Sequence, residues 1–335
     1  MTGAADAAVA WVGGRLHTRL LDVTADVAAL DSRGSWVVVL PFDGPAVCAR
    51  FADVRPAPVP RGCGWTGIPV ERWTSSLDRS AFEAGVVTIR EAIAAGDVYQ
   101  VNLTRRLSAP APPGADVVAL GAALVTGNPA PHAAVVRLPD HGVHLASASP
   151  ERFLRRDGRR VESRPIKGTA PTAAGLTAKD RAENVMIVDL VRNDLGRVCE
   201  VGSIEVPELC GPESHPGLVH LVSTVTGRLR EGAGWADLFP AAFPPGSVTG
   251  APKLAALDAI GRLEPVPRGP YCGAVGWVDA DRQAGDLNVA IRTFWLEDGA
   301  VHLGTGGGIT WDSTPAGEWA ETELKARRLL AVAAS

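Results

Sequence analysis

Residues 153–169 read FLRRDGRRVESRPIKGT and bear most directly on the fold class of this 335-residue chain. Asp157-Gly158 is a dipeptide typical of tight turns, and it separates two short strand-like runs, which predicts an antiparallel β-hairpin. The pentapeptide that follows, Pro165 to Thr169, places Lys167 on a predicted turn between Glu151 and a helix-like stretch that carries Glu183. A lysine amine buried between carboxylates can be tuned as a nucleophile or as a base.

Strands and helices follow one another along the rest of the chain without strict alternation. Strands are predicted at 35–40, 98–107, 133–138, 143–148, 272–279, 287–296 and 300–304. Helices are predicted from Asp78 to a cap at Gly96, from Asp180 to Gly196, from Pro252 to Leu263 and from Ala316 to Ala333. This pattern favours an α+β fold with mostly antiparallel sheets over a doubly wound fold.

The composition describes a soluble globular protein, with 46% hydrophobic and 21% charged residues. A net charge of -4 gives no reason to expect nucleic acid, so an anionic substrate must be held by local cations and N–H groups. No apolar run approaches membrane-spanning length and no signal peptide is evident, which predicts a cytoplasmic protein. The five cysteines have no zinc or redox spacing and are predicted to be buried free thiols in a reducing compartment.

Four glutamates are candidates for acid–base or metal chemistry: Glu151, Glu183, Glu318 and Glu321. Structural explanations compete with that role. The spacing from Asp180 to Glu183 fits a helix-capping box, and Glu321 lies four residues before Lys325, as in a surface ion pair. Two carboxylates on different helices can instead share Mg²⁺, which usually takes one or two protein carboxylates plus water and substrate oxygens. The residues alone leave both interpretations open.

The run Gly304-Thr305-Gly306-Gly307-Gly308 follows a predicted strand. Consecutive glycines let the backbone approach a ligand and aim N–H groups at an anion, although a flexible turn would carry the same run. Arg292 ends a mostly apolar strand, where its guanidinium needs either a substrate carboxylate or an internal salt bridge.

His220 lies in a strand-like run, on the face opposite Leu221. A single histidine of this kind is most often structural, and an acid–base or oxygen-polarising role is the alternative. Lys253, beside Pro252, is predicted to face solvent or to cap carbonyl groups rather than to catalyse.

Over about residues 78–330 the chain resembles the chorismate-utilising enzymes, which include anthranilate synthase component I, aminodeoxychorismate synthase component I, isochorismate synthase and salicylate synthase. The segments that carry the resemblance occur in one order: GDVYQVNLTRRL (96–107), SASPERFL (147–154), SRPIKGT (163–169), DRAENVMIVDLVRNDLGRV (180–198), HLVSTV (220–225), FPPGSVTGAPKLAALDAI (243–260), YCGAVGWVD (271–279), LNVAIRT (287–293), GTGGGI (304–309) and EWAETELKA (318–326).

The resemblance implies roles for the matching residues. Lys167 stands where anthranilate, isochorismate and salicylate synthases typically have alanine, and it resembles the lysine of aminodeoxychorismate synthase component I. In that subgroup the lysine attacks C2 of chorismate and expels the C4 hydroxyl, after which ammonia adds at C4 and releases the lysine as 4-amino-4-deoxychorismate forms. Glu151 matches the general acid/base, and His220 matches the histidine near the C4 oxygen. Glu183 and Glu321 match the two Mg²⁺ ligands.

Further positions match chorismate-binding residues of the family. They are Gly168, Thr169, Tyr271, Arg292, the backbone of Gly306, Gly307 and Gly308, and Lys325, which lies one turn after Glu321.

The resemblance implies an α+β fold in which two mostly antiparallel β-sheets pack as a sandwich with flanking helices. We expect a reduced N-terminal subdomain at residues 1–77, part of the same globule, and a chorismate-binding catalytic domain at residues 78–335. Besides the short N-terminal part, two departures from the family matter. The chain lacks a Leu-Leu-Glu-Ser-type segment that binds tryptophan in relatives, and the stretch from Thr169 to Asp180 is abbreviated.

The predicted activity is amination of chorismate with Mg²⁺ as cofactor, for 4-aminobenzoate and folate or a related secondary metabolite. The chain lacks a cysteine nucleophile motif for releasing ammonia, so a glutamine amidotransferase subunit or free ammonia is expected as the source. No nucleic acid or membrane partner is expected. The alternatives are an anthranilate synthase component I-like lyase and a non-catalytic chorismate-binding subunit. The complete set Glu151, Lys167, Glu183 and Glu321 argues against the second.

Overall fold

The computed structural model of the protein describes residues 7–170, 172–215 and 218–335, and the side chains of Thr169, His215 and Leu218 lie outside the description. Within these ranges the strands are β1 (Val9–Val12), β2 (Arg15–Thr24), β3 (Ser35–Leu40), β4 (Val47–Pro56), β5 (Thr74–Ser75), β6 (Gln100–Pro110), β7 (His132–Leu138), β8 (Val143–Ser149), β9 (Arg152–Asp157), β10 (Arg160–Arg164), β11 (Ile166–Ala170), β12 (Glu205–His215), β13 (Leu218–Arg228), β14 (Gly250–Ala251), β15 (Ala274–Asp279), β16 (Ala284–Val289), β17 (Thr293–Glu297) and β18 (Ala300–Ile309). The helices are α1 (Arg79–Ala95), α2 (Val117–Gly127), α3 (Ala178–Gly196), α4 (Trp235–Ala242), α5 (Lys253–Leu263) and α6 (Pro315–Ala333).

Neighbouring strands pair in the antiparallel sense, and the predicted hairpin is present, with Asp157 of β9 opposite Arg160 of β10. Pairings such as β6 with β18 and β10 with β13 link the described strands into one hydrogen-bonded network, so the predicted sheets are continuous with each other. The antiparallel α+β class with flanking helices is therefore confirmed.

The hydrophobic core explains how sheet faces and helices are layered. One buried cluster, with Val37, Phe51, Val136 and Val275 among its members, is drawn almost entirely from strands, as expected where sheet faces pack on one another. Other clusters bury one stripe of each helix against the sheets. In α3, Ile187, with its neighbours along one face, packs against β9, β10 and β13.

The strands before residue 78 share ladders with later parts of the chain. Val9 of β1 pairs opposite Arg137 of β7, and Ser35 of β3 pairs opposite Asp279 of β15. The first strands thus lie in the same sheet network as the rest, while the boundary between residues 77 and 78 stays a prediction.

Helix ends agree with the sequence signals in part. Gly96 caps α1 in the left-handed conformation, with φ 85°, as predicted. The capping prediction at Asp180–Glu183 is wrong, because α3 begins two residues earlier. The Thr177 hydroxyl accepts from the Asp180 N–H at 3.1 Å, and Asp180 Oδ2 accepts from the Thr177 N–H at 2.8 Å. Thr177 and Asp180 therefore satisfy the helix start, and Glu183 is left for another role.

The glycine run is a strand rather than a turn. Gly306 and Gly307 lie inside β18, opposite Thr104 and Leu103 of β6. Two helices, α2 and α4, had no counterpart among the predictions. The five cysteines are free thiols, as predicted, but only Cys48, Cys199 and Cys272 are buried; Cys63 is exposed and Cys210 is half-buried, so the prediction that all are buried is wrong. Among the helices of the described ranges, none has both the length and the apolar character to cross a membrane.

Candidate active site

Lys167 lies in β11, opposite Leu221 of β13, and its ammonium donates to the carbonyl oxygen of Ser247 at 3.1 Å. Burial lowers the pKa of Lys167, although the nearby carboxylates of Glu183 and Glu151 oppose the shift. A lysine with a lowered pKa carries the neutral, nucleophilic amine more readily at neutral pH. The lysine singled out in the sequence is therefore placed among carboxylates, as predicted.

Glu151 is 4% exposed and lies close enough to Lys167 for the two charges to interact. Its carboxyl group accepts from the Ser247 hydroxyl and from the Ile166 N–H. Burial raises the pKa of Glu151 to about 7, against the lowering effects of these hydrogen bonds and of the Lys167 charge. A carboxyl group with this pKa can hold a proton near neutral pH and donate it, as a general acid must.

Three carboxylates from α3 and α6 meet beside Lys167. Burial raises the pKa of Glu183, and the negative charges of Glu318 and Glu321 add to the effect, while Lys167 and Lys179 oppose it. Burial likewise raises the pKa of Glu318, which is 5% exposed and accepts from the Ser313 hydroxyl at 2.5 Å. Mutual repulsion of this kind shows that the carboxylates share one electrostatic environment.

Glu321 differs from the other two carboxylates because a lysine is bound to it. Lys325 Nζ lies 2.7 Å from Glu321 Oε1 and donates to the carbonyl oxygen of Gly306 at 2.9 Å. Although burial opposes it, the Lys325 charge holds the pKa of Glu321 below its usual value. The i,i+4 ion pair suggested by the sequence is present, and it belongs to the site rather than to a remote surface.

The glycine strand forms one wall of the site. A Cβ atom added at Gly307 would lie 3.0 Å from Glu318 Oε2 and 3.7 Å from Glu321 Oε1. At Gly308 it would lie 3.4 Å from Lys167 Nζ. Side chains at these positions would fill the space between Lys167 and the carboxylates, so glycine keeps that space open.

Gln100 was not predicted to belong to the site. It is fully buried in β6, and a Cβ atom added at Gly308 would lie only 2.2 Å from its Nε2 atom. Neither its Nε2 nor its Oε1 atom has a hydrogen-bond partner among the described residues. Because a buried amide without partners is costly, the group is poised to bind a ligand that enters beside Lys167.

His220 is buried and lies directly opposite Thr169 in the β11–β13 ladder, which places it close to Lys167 along the sheet. Gly168 has φ 75°, and a Cβ atom there would lie 2.7 Å from Cβ of Asp180. The structure thus shows a packing reason for Gly168, which lets β11 approach the start of α3. The Thr169 side chain falls outside the described part of the chain, and its binding role stays a prediction.

Arg292 and Tyr271 are two further residues for which the resemblance implies a chorismate-binding role. Arg292 lies between β16 and β17, and burial lowers the pKa of its guanidinium. No hydrogen bond or ion pair to that guanidinium is present within the described ranges, so the internal salt bridge, one of the two alternatives for Arg292, is absent there. Tyr271 is 6% exposed, its ring packs against Gly304, and burial raises the pKa of its hydroxyl well above the usual value.

Lys253 contacts a carbonyl group, one of its two predicted alternatives, but it is largely buried rather than solvent-facing and also forms an ion pair. Its ammonium pairs with Asp194 Oδ2 at 2.7 Å and donates to the carbonyl oxygen of Ala242 at 3.0 Å. Both side chains are largely buried. The pair ties α3, which carries Glu183, to the segment that carries Ser247.

Three residues of the site were not predicted from the sequence: Gln100, Lys179 and Ser247. All three lie within or beside motifs that were noticed for other reasons. Gln100 is a polar residue between the buried residues Val98 and Val101, and Lys179 lies four residues before Glu183. These local spacings are the only sequence signals for the three residues. Contacts between segments that are distant in sequence determine whether such residues lie in the site.

The described residues contain no group of three or more histidine, cysteine, aspartate or glutamate side chains arranged to hold a metal ion by themselves. Glu183 and Glu321 instead offer carboxylate oxygens from two helices, close enough for their charges to interact, and Glu321 lies beside the open backbone at Gly307. This donor set fits Mg²⁺, which takes one or two protein carboxylates and completes its shell with other oxygens.

Residues 66–331 match the family described as chorismate binding enzyme. The chain is 43% identical over 270 residues to anthranilate synthase component 1 of Streptomyces coelicolor, which covers 77% of this chain and 52% of that protein. It is 39% identical over 313 residues to aminodeoxychorismate synthase component 1 of Klebsiella aerogenes, which covers 90% of this chain and 67% of that protein.

The fold also matches the crystal structure of anthranilate synthase component I from Streptococcus pneumoniae, with a TM-score of 0.76 at 24% identity, over 89% of this chain and 81% of that one. The chain spans only about half to two thirds of the length of the curated relatives named above. The length of the family match and the identity to these relatives show that the chain belongs to the chorismate-binding enzymes.

Proposed function

We propose that the protein is an aminodeoxychorismate synthase component I, which converts chorismate and ammonia to 4-amino-4-deoxychorismate. The observation that carries the proposal is the Lys167 amine, which is buried between Glu151 and the carboxylates of α3 and α6 and has a lowered pKa. A nucleophile is useful at this position only in the subgroup that forms a covalent intermediate.

The first step uses Lys167 and Glu151 together. The neutral amine of Lys167 forms a bond to C2 of chorismate, the two conjugated double bonds of the ring shift, and the C4–O bond breaks. The proton of Glu151 passes to the departing hydroxyl, which leaves as water. The pKa of Glu151, raised by burial to about 7, keeps that proton available near neutral pH.

The second step reverses the roles at the ring. Ammonia forms a bond to C4, the two double bonds shift back, and the C2–N bond to Lys167 breaks, so the lysine is recovered as the amine. Glu151 takes up the proton that the incoming nitrogen releases. Dividing a difficult displacement into two easier displacements is the advantage of covalent catalysis.

Substrate binding is assigned to Arg292 and to the glycine strand. The Arg292 guanidinium would pair with a substrate carboxylate, and the backbone of Gly306 to Gly308 would line the space for the ring. Glu183 and Glu321 would hold Mg²⁺. When bound, the ion supplies positive charge for the ring carboxylate of the substrate.

A partner protein is part of the proposal. Both relatives are named component 1, which implies a second component in those enzymes. We infer a glutamine amidotransferase as the source of ammonia here. A cytoplasmic location and a contribution to 4-aminobenzoate and folate synthesis follow from the same proposal.

Anthranilate synthase is the second candidate, because the relative at 43% identity carries that name. The two activities are distinguished by their products. The protein is incubated with chorismate, MgCl₂ and an ammonium salt, and the products are separated by chromatography. We expect 4-amino-4-deoxychorismate. Anthranilate and pyruvate as the main products would overturn the proposal. Absence of turnover, also with an amidotransferase partner, would favour a non-catalytic subunit.

Replacing Ser247 with alanine is expected to shift the pH dependence of the reaction. The Ser247 hydroxyl lowers the pKa of Glu151, so its loss should raise that pKa further. Proton donation would then persist to higher pH, and the alkaline limb of the kcat/KM profile should shift to higher pH. Ser247→Thr keeps a hydroxyl and serves as the control. An alkaline limb that is the same in the alanine and threonine variants would contradict the hydrogen bond's influence.

Replacing Glu183 with glutamine is expected to weaken Mg²⁺ binding by at least about tenfold, because a neutral amide is a poorer ligand than a carboxylate. Isothermal titration with MgCl₂ measures the change directly. Asp189→Asn is the matched control, since Asp189 is an exposed residue of the same helix that pairs with Arg192. Equal Mg²⁺ affinity in wild type and Glu183→Gln would remove Glu183 from the metal site.

A further inference from the structure

Lys179, the second residue of α3, lies between two carboxylates of different helices. Its Nζ atom is 3.8 Å from Glu183 Oε1 on α3 and 3.7 Å from Glu318 Oε1 on α6. The Glu318 side chain is 5% exposed, whereas the Lys179 side chain is 38% exposed. A cation on a flexible stem therefore reaches from the rim of the site into a buried carboxylate cluster.

Lys179 and Lys325 are held by their carboxylates in different ways. Lys325 makes a close ion pair with Glu321 at 2.7 Å, and a hydrogen bond to the carbonyl oxygen of Gly306 fixes it. Lys179 is too far from either of its carboxylates for a hydrogen bond. Charge alone holds it there, so a short rotation of its stem can carry the ammonium out to solvent.

We propose that Lys179 is a replaceable counter-ion, which neutralises the carboxylates while no divalent cation is bound and withdraws when the cation enters. The inference rests on the metal assignment made for the proposed function. Its physical basis is that Glu183, Glu318 and Glu321 repel one another in a partly buried place, where a nearby positive charge offsets that repulsion. The same charge repels an incoming divalent cation, so Lys179 stabilises the metal-free site and weakens metal binding.

The test compares wild type with Lys179→Met, which keeps most of the aliphatic stem and removes the charge. Metal-free protein is titrated calorimetrically with MgCl₂ alone, without chorismate. We expect the Kd for Mg²⁺ to fall roughly tenfold in the variant, because one repelling unit charge near the ion is removed. In chelator, we expect the Tm of the variant to lie below that of wild type, and saturating Mg²⁺ should remove the difference.

Two further variants complete the design. Lys179→Gln should repeat the effect of methionine if the charge is responsible. Arg192→Met removes a positive charge from the same helix, about 20 Å along its axis from Lys179, and should leave the Kd unchanged. A Kd in Lys179→Met and Lys179→Gln that equals or exceeds the wild-type value would overturn the counter-ion role.

The outcomes separate this inference from the proposed function. If wild type binds no Mg²⁺, the metal assignment and the counter-ion role both fail. If wild type binds Mg²⁺ and the Kd does not respond to Lys179, only the counter-ion role fails. The identity of the amination product does not enter the titration, so an anthranilate-forming enzyme would leave the inference intact.

Discussion

Replacing Lys167 with alanine is expected to slow 4-amino-4-deoxychorismate formation by roughly 10²-fold or more, because the covalent route is lost. Initial rates with chorismate, MgCl₂ and ammonium measure the effect. Mass spectrometry of the intact protein, incubated with chorismate without ammonia, provides a second measurement. Wild type should gain the mass of a chorismate-derived adduct, and Lys167→Ala should not.

The Lys167→Arg variant is the control that distinguishes the loss of the nucleophile from the loss of the positive charge. A guanidinium keeps a positive charge near Glu151 and Glu183 but stays protonated and cannot attack. It should therefore be as inactive as the alanine variant, while its Tm reports whether the site still folds. A near-normal rate in Lys167→Ala, or an adduct that survives there, would rule out the covalent role.

Replacing Glu151 with glutamine is expected to lower kcat by roughly 10²-fold to 10⁴-fold, because the amide cannot give a proton to the departing hydroxyl. The exposed Glu91 of α1, changed to glutamine, is the control for the loss of a carboxylate elsewhere. Steady-state rates of both variants, measured with the same chorismate and ammonium concentrations, separate a local from a general effect.

The pH dependence provides an independent check on Glu151. Its pKa is raised to about 7, so the protonated acid is present below that pH and is lost as the pH rises through it. Wild-type kcat/KM should therefore fall on the alkaline side of about pH 7. This limb should be absent from the residual activity of Glu151→Gln. A limb that persists unchanged in the variant would assign the titration to another group.

Much of the site was predictable because its residues lie in local patterns. Lys167 was found beside a hairpin whose turn, Asp157-Gly158, is legible in sequence, and the hairpin is present. The i,i+4 spacing of Glu321 and Lys325 likewise predicted a real ion pair. Both features depend on residues that are close along the chain, and local chemistry determines them.

The errors and omissions share a different cause. The sequence of the glycine run is compatible with a flexible turn and with a backbone that approaches a ligand, because glycines are common in turns. Pairing with β6 makes the run a strand. The spacing from Asp180 to Glu183 is typical of a capping box, but Thr177 already caps the start of α3. Gln100 is beside Lys167 only because β6, β11 and β18 come together. Sequence spacing contains no information on such pairings between distant segments.

The pairing of β6 with β18 has a consequence for how the protein acquires its site. Val101 lies opposite Ile309, so the wall beside Lys167 is closed by segments that are far apart in sequence. Contacts of such long sequence separation form slowly, since the intervening chain must first be ordered. The site therefore stays incomplete until β18 has paired with β6 and until α6, which carries Glu321 and Lys325, has packed against β18.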